Sequence, residues 1–223
     1  MNHNGRHQDP ATKDLWSPTR RDFLIRASSA AAVAVGGLVA GIPLTADTAH
    51  AAPSPQQPIR RLRGGMRAEE SELLRLLNDA RAHPEKYPPN GNPAGATMVS
   101  CGPPFKYSKE LLAIALAHNR YLASQPIDWV NTYPNMHTGP NGKPVGAPGE
   151  PMDQAGYRSY RAEIVATGFP TPIDVIRFWM QDDERFQWGH RNLILNCTIH
   201  EAGPGYTQGG PGNHYWTVDM GTR

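Results

Sequence analysis

The sequence predicts an α+β domain, with helices first and an antiparallel hairpin last. Three observations carry that reading. Apolar residues recur at helical spacing in three stretches before residue 182. Two β-like segments, 198–206 and 214–220, close the chain around Gly209-Gly210-Pro211-Gly212. The strand and helix alternation of a parallel βαβ sheet is missing.

In chain order, Glu69, Glu70 and Glu72 open the first helix, where the helix dipole favours acids, and Leu73, Leu74, Leu77 and Ala80 form its apolar stripe. It ends near His83, because Pro84 disfavours a helical residue before it. A Pro, Gly and Asn-rich loop runs to Tyr107. Ser108 then caps a second helix with Leu112, Ala115, Leu116, Leu122 and Ala123 buried, which puts His118 near its polar edge as a surface or boundary residue. Prolines and glycines break regular structure from Gln125 to Pro151, and a loop of that length in one domain is usually functional. Arg161 to Thr167 reads as a short strand. Thr171-Pro172-Ile173-Asp174 starts a third helix, with Thr as N-cap, Pro first and an acid in the first turn. Gly203-Pro204-Gly205 reads as a kink or bulge in the penultimate strand.

The N-terminus reads as an address. Arg20 and Arg21 precede Phe23-Leu24-Ile25, the uncharged run Ala27 to Leu44 follows, and Ala49-His50-Ala51 offers small residues for a signal peptidase. The pattern resembles a twin-arginine export signal over 1–51, cleaved after Ala51, with an uncleaved anchor as the alternative. Residues 52–66 form a flexible connector, and 67–223 one domain. After cleavage no stable membrane insertion is expected, and the protein is secreted or held at the cell wall. The formal net charge of the whole chain is +2 and the exported part is nearly balanced, which excludes an electrostatic case for nucleic acid. Arg60, Arg61, Arg63 and Arg67 make the one basic stretch, a solvated linker or a contact for anionic cell-wall polymer. Cys101 and Cys197 are the two cysteines, and in an oxidising compartment such a pair bridges; a free thiol nucleophile is the alternative.

Several chemistries are absent. His200-Glu201 lacks the second His of a zincin helix, no Gly-x-Ser-x-Gly elbow occurs, and no phosphate-binding loop precedes Lys-Ser or Lys-Thr. What remains is His137, Glu163, Asp182 and His190, two imidazoles and two carboxylates. Such groups ligate zinc-like cations or pass protons near neutral pH.

The order of motifs resembles the CAP superfamily of cysteine-rich secretory, antigen and pathogenesis-related proteins, in its bacterial secreted form. The resemblance rests on Asn78-x-x-Arg81, His137, Gln154-Ala155-Gly156-Tyr157, Glu163-Ile164, Trp179, Gly189-His190-Arg191 with Asn192-Leu193-Ile194-Leu195, and Tyr215-Trp216-Thr217-Val218-Asp219, from about Glu69 to Gly221. It implies a three-layer αβα sandwich with a central antiparallel sheet. It also implies a cleft tetrad of His137, Glu163, Asp182 and His190, with Asp183 or Glu184 as alternatives to Asp182. Asn78 and Arg81 then serve the fold. The family's Gly-Glu-Asn-Ile is Ala162-Glu163-Ile164-Val165 here, so a polar neighbour of the Glu is lost. The function implied is a secreted binding module, with a cleft for Zn²⁺ or another divalent cation and a groove for a lipid or small hydrophobic ligand. Whether the chain is an enzyme stays open, and the alternative is a metal-assisted, peptidase-like hydrolase using the same cleft. Oligomeric state is not fixed by the sequence.

Overall fold

A computed structural model of the chain describes residues 65–223. The expected export signal lies outside the described residues, as do residues 52–64 of the expected connector. Helix α1 (Ala68–Ala82) places Leu73, Leu76, Leu77 and Ala80 inward and stops at His83, ahead of Pro84. A two-residue strand β1 (Lys106–Tyr107) leads to α2 (Lys109–Ala123), capped by the Ser108 hydroxyl, which accepts from Leu111 N. Short helices α3 (Ile127–Val130) and α4 (Pro151–Gln154) punctuate the long loop. Strand β2 (Tyr160–Thr167) follows, then α5 (Pro172–Gln181) under its Thr171 cap, α6 (Gly189–Ile194), and the hairpin β3 (Glu201–Gln208) and β4 (His214–Thr222).

The sheet order is β1-β3-β4-β2, antiparallel except for the short parallel pair β1 and β3. Strand periodicity decides the two faces. Ala162, Ile164 and Ala166 of β2 and Trp216, Val218 and Met220 of β4 join α1 and α5 in the main core. Val165 and Tyr215, one position out of phase, pack with Leu122 of α2 on the other side. Helices therefore cover both faces, giving the αβα sandwich. Among the described residues no helix is long and apolar enough to cross a membrane.

Strand β3 starts at Glu201 rather than Thr198. Asn196 Oδ1 accepts from Thr198 N at 2.9 Å and from its hydroxyl at 2.7 Å, a local turn that competes with strand pairing. The expected kink at Gly203-Pro204-Gly205 is not formed. Register runs unbroken through Gly203↔Asp219, Pro204↔Val218 and Gly205↔Thr217. The glycines serve close packing instead, since a Cβ on Gly203 would stand 2.0 Å from Leu112 N and one on Gly205 3.0 Å from the Ala115 Cβ. Helix α2 thus rests on the bare strand, which brings its inward side chains down to the sheet. Gly203→Ala is expected to cost about 1–3 kcal/mol by forcing that contact apart, read as a lower urea midpoint.

Two buried arginines tie the loops down. Arg81 donates to the carbonyls of Pro103, Ile194, Asn196 and Ile199, and Arg191 to those of Thr97, Tyr87 and Met180. Asn78 exchanges hydrogen bonds with the Phe105 backbone in both directions. The Cys101–Cys197 bridge forms as expected and closes a separation of 96 residues. A loop that long is worth about 4–5 kcal/mol in the chain-entropy account of cross-linking.

Candidate functional site

Glu163 stands on the face of β2 that looks at α2, and two imidazoles close on its carboxylate. His118 Nδ1 lies 2.6 Å from Oε2, and His137 Nδ1 lies 2.8 Å from Oε1. His118 comes down from α2, while His137 ends a 3-10 turn, Asn135–His137, in the long loop. The remaining His118 nitrogen, Nε2, meets Thr138 O at 3.3 Å. Both partners of His118 are acceptors, so the imidazolium, which donates twice, satisfies the geometry best. One ring thereby joins helix, strand and loop.

Charge follows from this packing. Burial pushes the Glu163 carboxyl upward, but the His118 charge and the hydrogen bonds from His118 and His137 outweigh it and hold the group at about 2. Burial pulls His118 down, yet the charge and hydrogen bond of Glu163 leave it raised above the usual imidazole value of 6.5. Across the ladder from Glu163 stands Asp219, which is 0% exposed, and among the described residues no donor reaches either of its oxygens. Burial, then the negative charge of Glu163, raise Asp219 well above the usual carboxyl range, so it is held as the neutral acid.

The other two expected members lie elsewhere. His190 Nδ1 sits 2.5 Å from Asp183 Oδ1, in a pocket of aromatic rings from Phe178, Trp179 and Phe186. Those rings belong to or pack against the main core, on the opposite side of the sheet from Glu163. Asp182, the expected acid, ends α5 as its C-cap and accepts from Asn90 Nδ2 at 2.8 Å, in an exposed contact. Asp183 is the buried neighbour, turned inward where the chain reverses through Glu184–Phe186 and two left-handed residues, Gln187 and Trp188. The structure therefore joins the expected residues as two pairs, His137 with Glu163 and His190 with Asp183. No hydrogen bond or ion pair links those pairs among the described residues.

His118 corrects the sequence reading. It is 4% exposed, not a surface residue, because the sheet-facing stripe of α2 is Leu111, Ala115, His118 and Leu122, rotated from the stripe through Leu112 and Leu116. The i, i+4, i+7, i+11 spacing could have found it. Among the described residues no three His, Cys, Asp or Glu side chains are grouped to hold a metal ion. Both imidazole Nδ1 atoms and both Glu163 oxygens face one another, so a divalent cation does not fit this set unless a ring turns away from Glu163.

Beside this network, a cavity of about 500 Å³ opens between α2 and the following loop. Ala113, Ile114, Ala117, Pro140 and Val145 wall it, and His118 reaches its floor. The polar groups at its rim pair among themselves, with Asn141 Nδ2 2.7 Å from Glu150 Oε2 and Lys143 Nζ 3.5 Å from Glu150 Oε1.

Comparison with curated proteins gave no match. Solved structures similar in fold include a cysteine-rich secretory protein from Staphylococcus aureus, with 20% identity, TM-score 0.40, and 70% of this chain aligned to 39% of that one. An extracellular protein containing an SCP domain from Bacillus anthracis has 13% identity, TM-score 0.42, and coverage of 69% and 41%. Venom allergen-like protein 4 from Schistosoma mansoni has 12% identity, TM-score 0.45, and coverage of 70% and 89%. This chain spans about two fifths of the length of the two bacterial proteins. The family model for CAP, the cysteine-rich secretory protein family, matches residues 74–220, well over half of the chain, and the chain belongs to that family.

Proposed function

We propose that this CAP-family chain is a secreted binding module whose cavity beside α2 takes a small apolar or lipid-like ligand. The observation that carries this reading is the apolar cavity with its rim charges already paired. A pocket of this size and lining suits a ligand with an apolar body and few polar groups. The Glu163 network supports binding over hydrolysis. Each Glu163 oxygen is held by an imidazole, and both His118 nitrogens are engaged, so neither Glu163 nor His118 is placed to activate water. Its role is then to fix the loop that forms one wall of the cavity. Export through a twin-arginine signal is part of this reading and rests on residues 20–51.

Native mass spectrometry of the protein after exposure to lipid and peptide mixtures tests it. Retained lipid is the expected result, and cut peptide without retained lipid defeats it. Ala117 is exposed in the cavity wall, so Ala117→Trp fills the space without touching the core. Retention is expected to fall roughly tenfold or more, about 1.4 kcal/mol. The cation expectation is checked in parallel by Zn²⁺ titration. Stoichiometric uptake lost in His137→Ala but kept in His190→Ala favours a metal site that forms only when an imidazole releases Glu163.

A further inference from the structure

The two ends of the disulfide differ in environment. Cys101 is 0% exposed, while Cys197 lies in the exposed turn between α6 and β3. Arg81 Nη2 stands 3.0 Å from Cys101 Sγ. Across its three nitrogens, Nη2 included, that guanidinium donates to four backbone carbonyls, and it lies 3.9 Å over the Phe105 ring. Among the described residues no carboxylate pairs with it. Arg81 is therefore a buried cation surrounded by dipoles and one sulfur, and burial pushes its guanidinium down to about 10. Among the described residues, the side chain hydrogen-bonded to it that can acquire a full negative charge is Cys101.

Thiol–disulfide exchange needs an accessible sulfur to attack and a leaving sulfur that is stable as thiolate. These requirements fall on opposite ends of this bridge. We propose that Cys101–Cys197 is an exchangeable disulfide, in which a low-molecular-weight thiol couples to Cys197 and Cys101 leaves as a thiolate held by Arg81. In that step the external thiolate attacks Cys197 Sγ, and a new S–S bond forms there. The Cys101–Cys197 bond breaks, and its electron pair stays on Cys101 Sγ. Protein and thiol are then joined as a mixed disulfide, with no net change in oxidation state. The Cys101 thiolate can reverse the step and expel the thiol. Alternatively, a second thiol releases Cys197, leaving the protein reduced by two electrons and the two thiols oxidised to one disulfide. Cys197 is thus a modification site, and Arg81 sets the direction of attack as well as holding the loops.

Reduced glutathione is the probe, added near neutral pH to the full folded chain, with iodoacetamide as trap and peptide mass spectrometry as readout. The expected result is glutathione on Cys197 and the alkyl group on Cys101. Glutathione on Cys101, or no exchange until the protein is denatured, overturns the proposal. Arg81 variants can fail to fold, so the second measurement leaves Arg81 in place. In Cys197→Ser, the ultraviolet absorbance of the Cys101 thiolate is expected to titrate below about 7.5, against about 8.5 for a free cysteine. A midpoint at or above about 8.5 overturns it.

Discussion

Arg191→Met is expected to destabilise the fold by about 4 kcal/mol or more, enough to unfold much of a protein of ordinary stability. The side chain is 0% exposed and donates to Thr97 O at 2.7 Å, Tyr87 O at 2.6 Å and Met180 O at 2.8 Å. Methionine has similar length but no donor, so three carbonyls lose a charged partner, and each buried acceptor left bare costs about 1–3 kcal/mol. Those carbonyls lie on three separate segments: Tyr87 follows the turn after α1, Thr97 lies within the loop that leads to β1, and Met180 stands in the last turn of α5. Removing the guanidinium therefore frees the loop from α5 as well as leaving polar groups dry. Its backbone N also donates to Asp183 Oδ2 at 3.1 Å, so the His190 and Asp183 pair is disturbed along with it. Arg191→Lys carries the charge but cannot reproduce the fork of donors, and less than half of the loss is expected to return. Urea denaturation checks both variants, and a midpoint for Arg191→Met within error of the parent defeats the clamp. Amide exchange across 88–100 is the local readout: it should accelerate in both variants before global unfolding.

How far the sequence carried this picture depends on the kind of signal. Elements with local chemistry were legible: the acidic start and proline stop of α1, the Ser108 and Thr171 caps, and the hairpin around its glycines. Long-range pairings were legible only where few partners existed, as with two cysteines. The site was half legible. His137 and Glu163 meet, and Asp183 is the acid that turns inward, ahead of two left-handed residues that reverse the chain, and no pattern in three consecutive acids reveals that. His118 was misread because the stripe through Leu112 and Leu116 and the stripe through Leu111 and Ala115 are one residue apart on the helix. Asp219 needed the register of β2 on β4, which period-two alternation alone does not supply.

That register sets up the second large effect. Glu163→Gln removes the negative charge from a set whose side chains are only 2% (His118) and 7% (Glu163) exposed, and breaking a buried pair of this kind costs about 3–5 kcal/mol. The cost depends on pH with a sign fixed by the shifts. Glu163 is depressed from 4.5 to about 2, so its contribution is present above 4.5 and lost as pH falls through about 2. His118 is raised above 6.5, so its contribution is full below 6.5 and lost as pH rises through the raised value. The difference between parent and Glu163→Gln is therefore greatest between about 4.5 and 6.5. Asp219 runs the other way. Its folded value is raised above 3.8, so the folded state is favoured below 3.8 and penalised as pH climbs toward that raised value. Asp219→Asn, neutral at every pH, is expected to raise the melting temperature near neutrality and to lose that advantage toward pH 3.8. Because part of the Asp219 penalty is repulsion from Glu163, the two substitutions should not add: Asp219→Asn gains less in a Glu163→Gln background. Melting curves of the four proteins across pH measure all of this at once. A loss in Asp219→Asn that is present above 3.8 and fades as pH falls would mean that Asp219 is a paired anion in the fold, and the neutral-acid assignment would then fail.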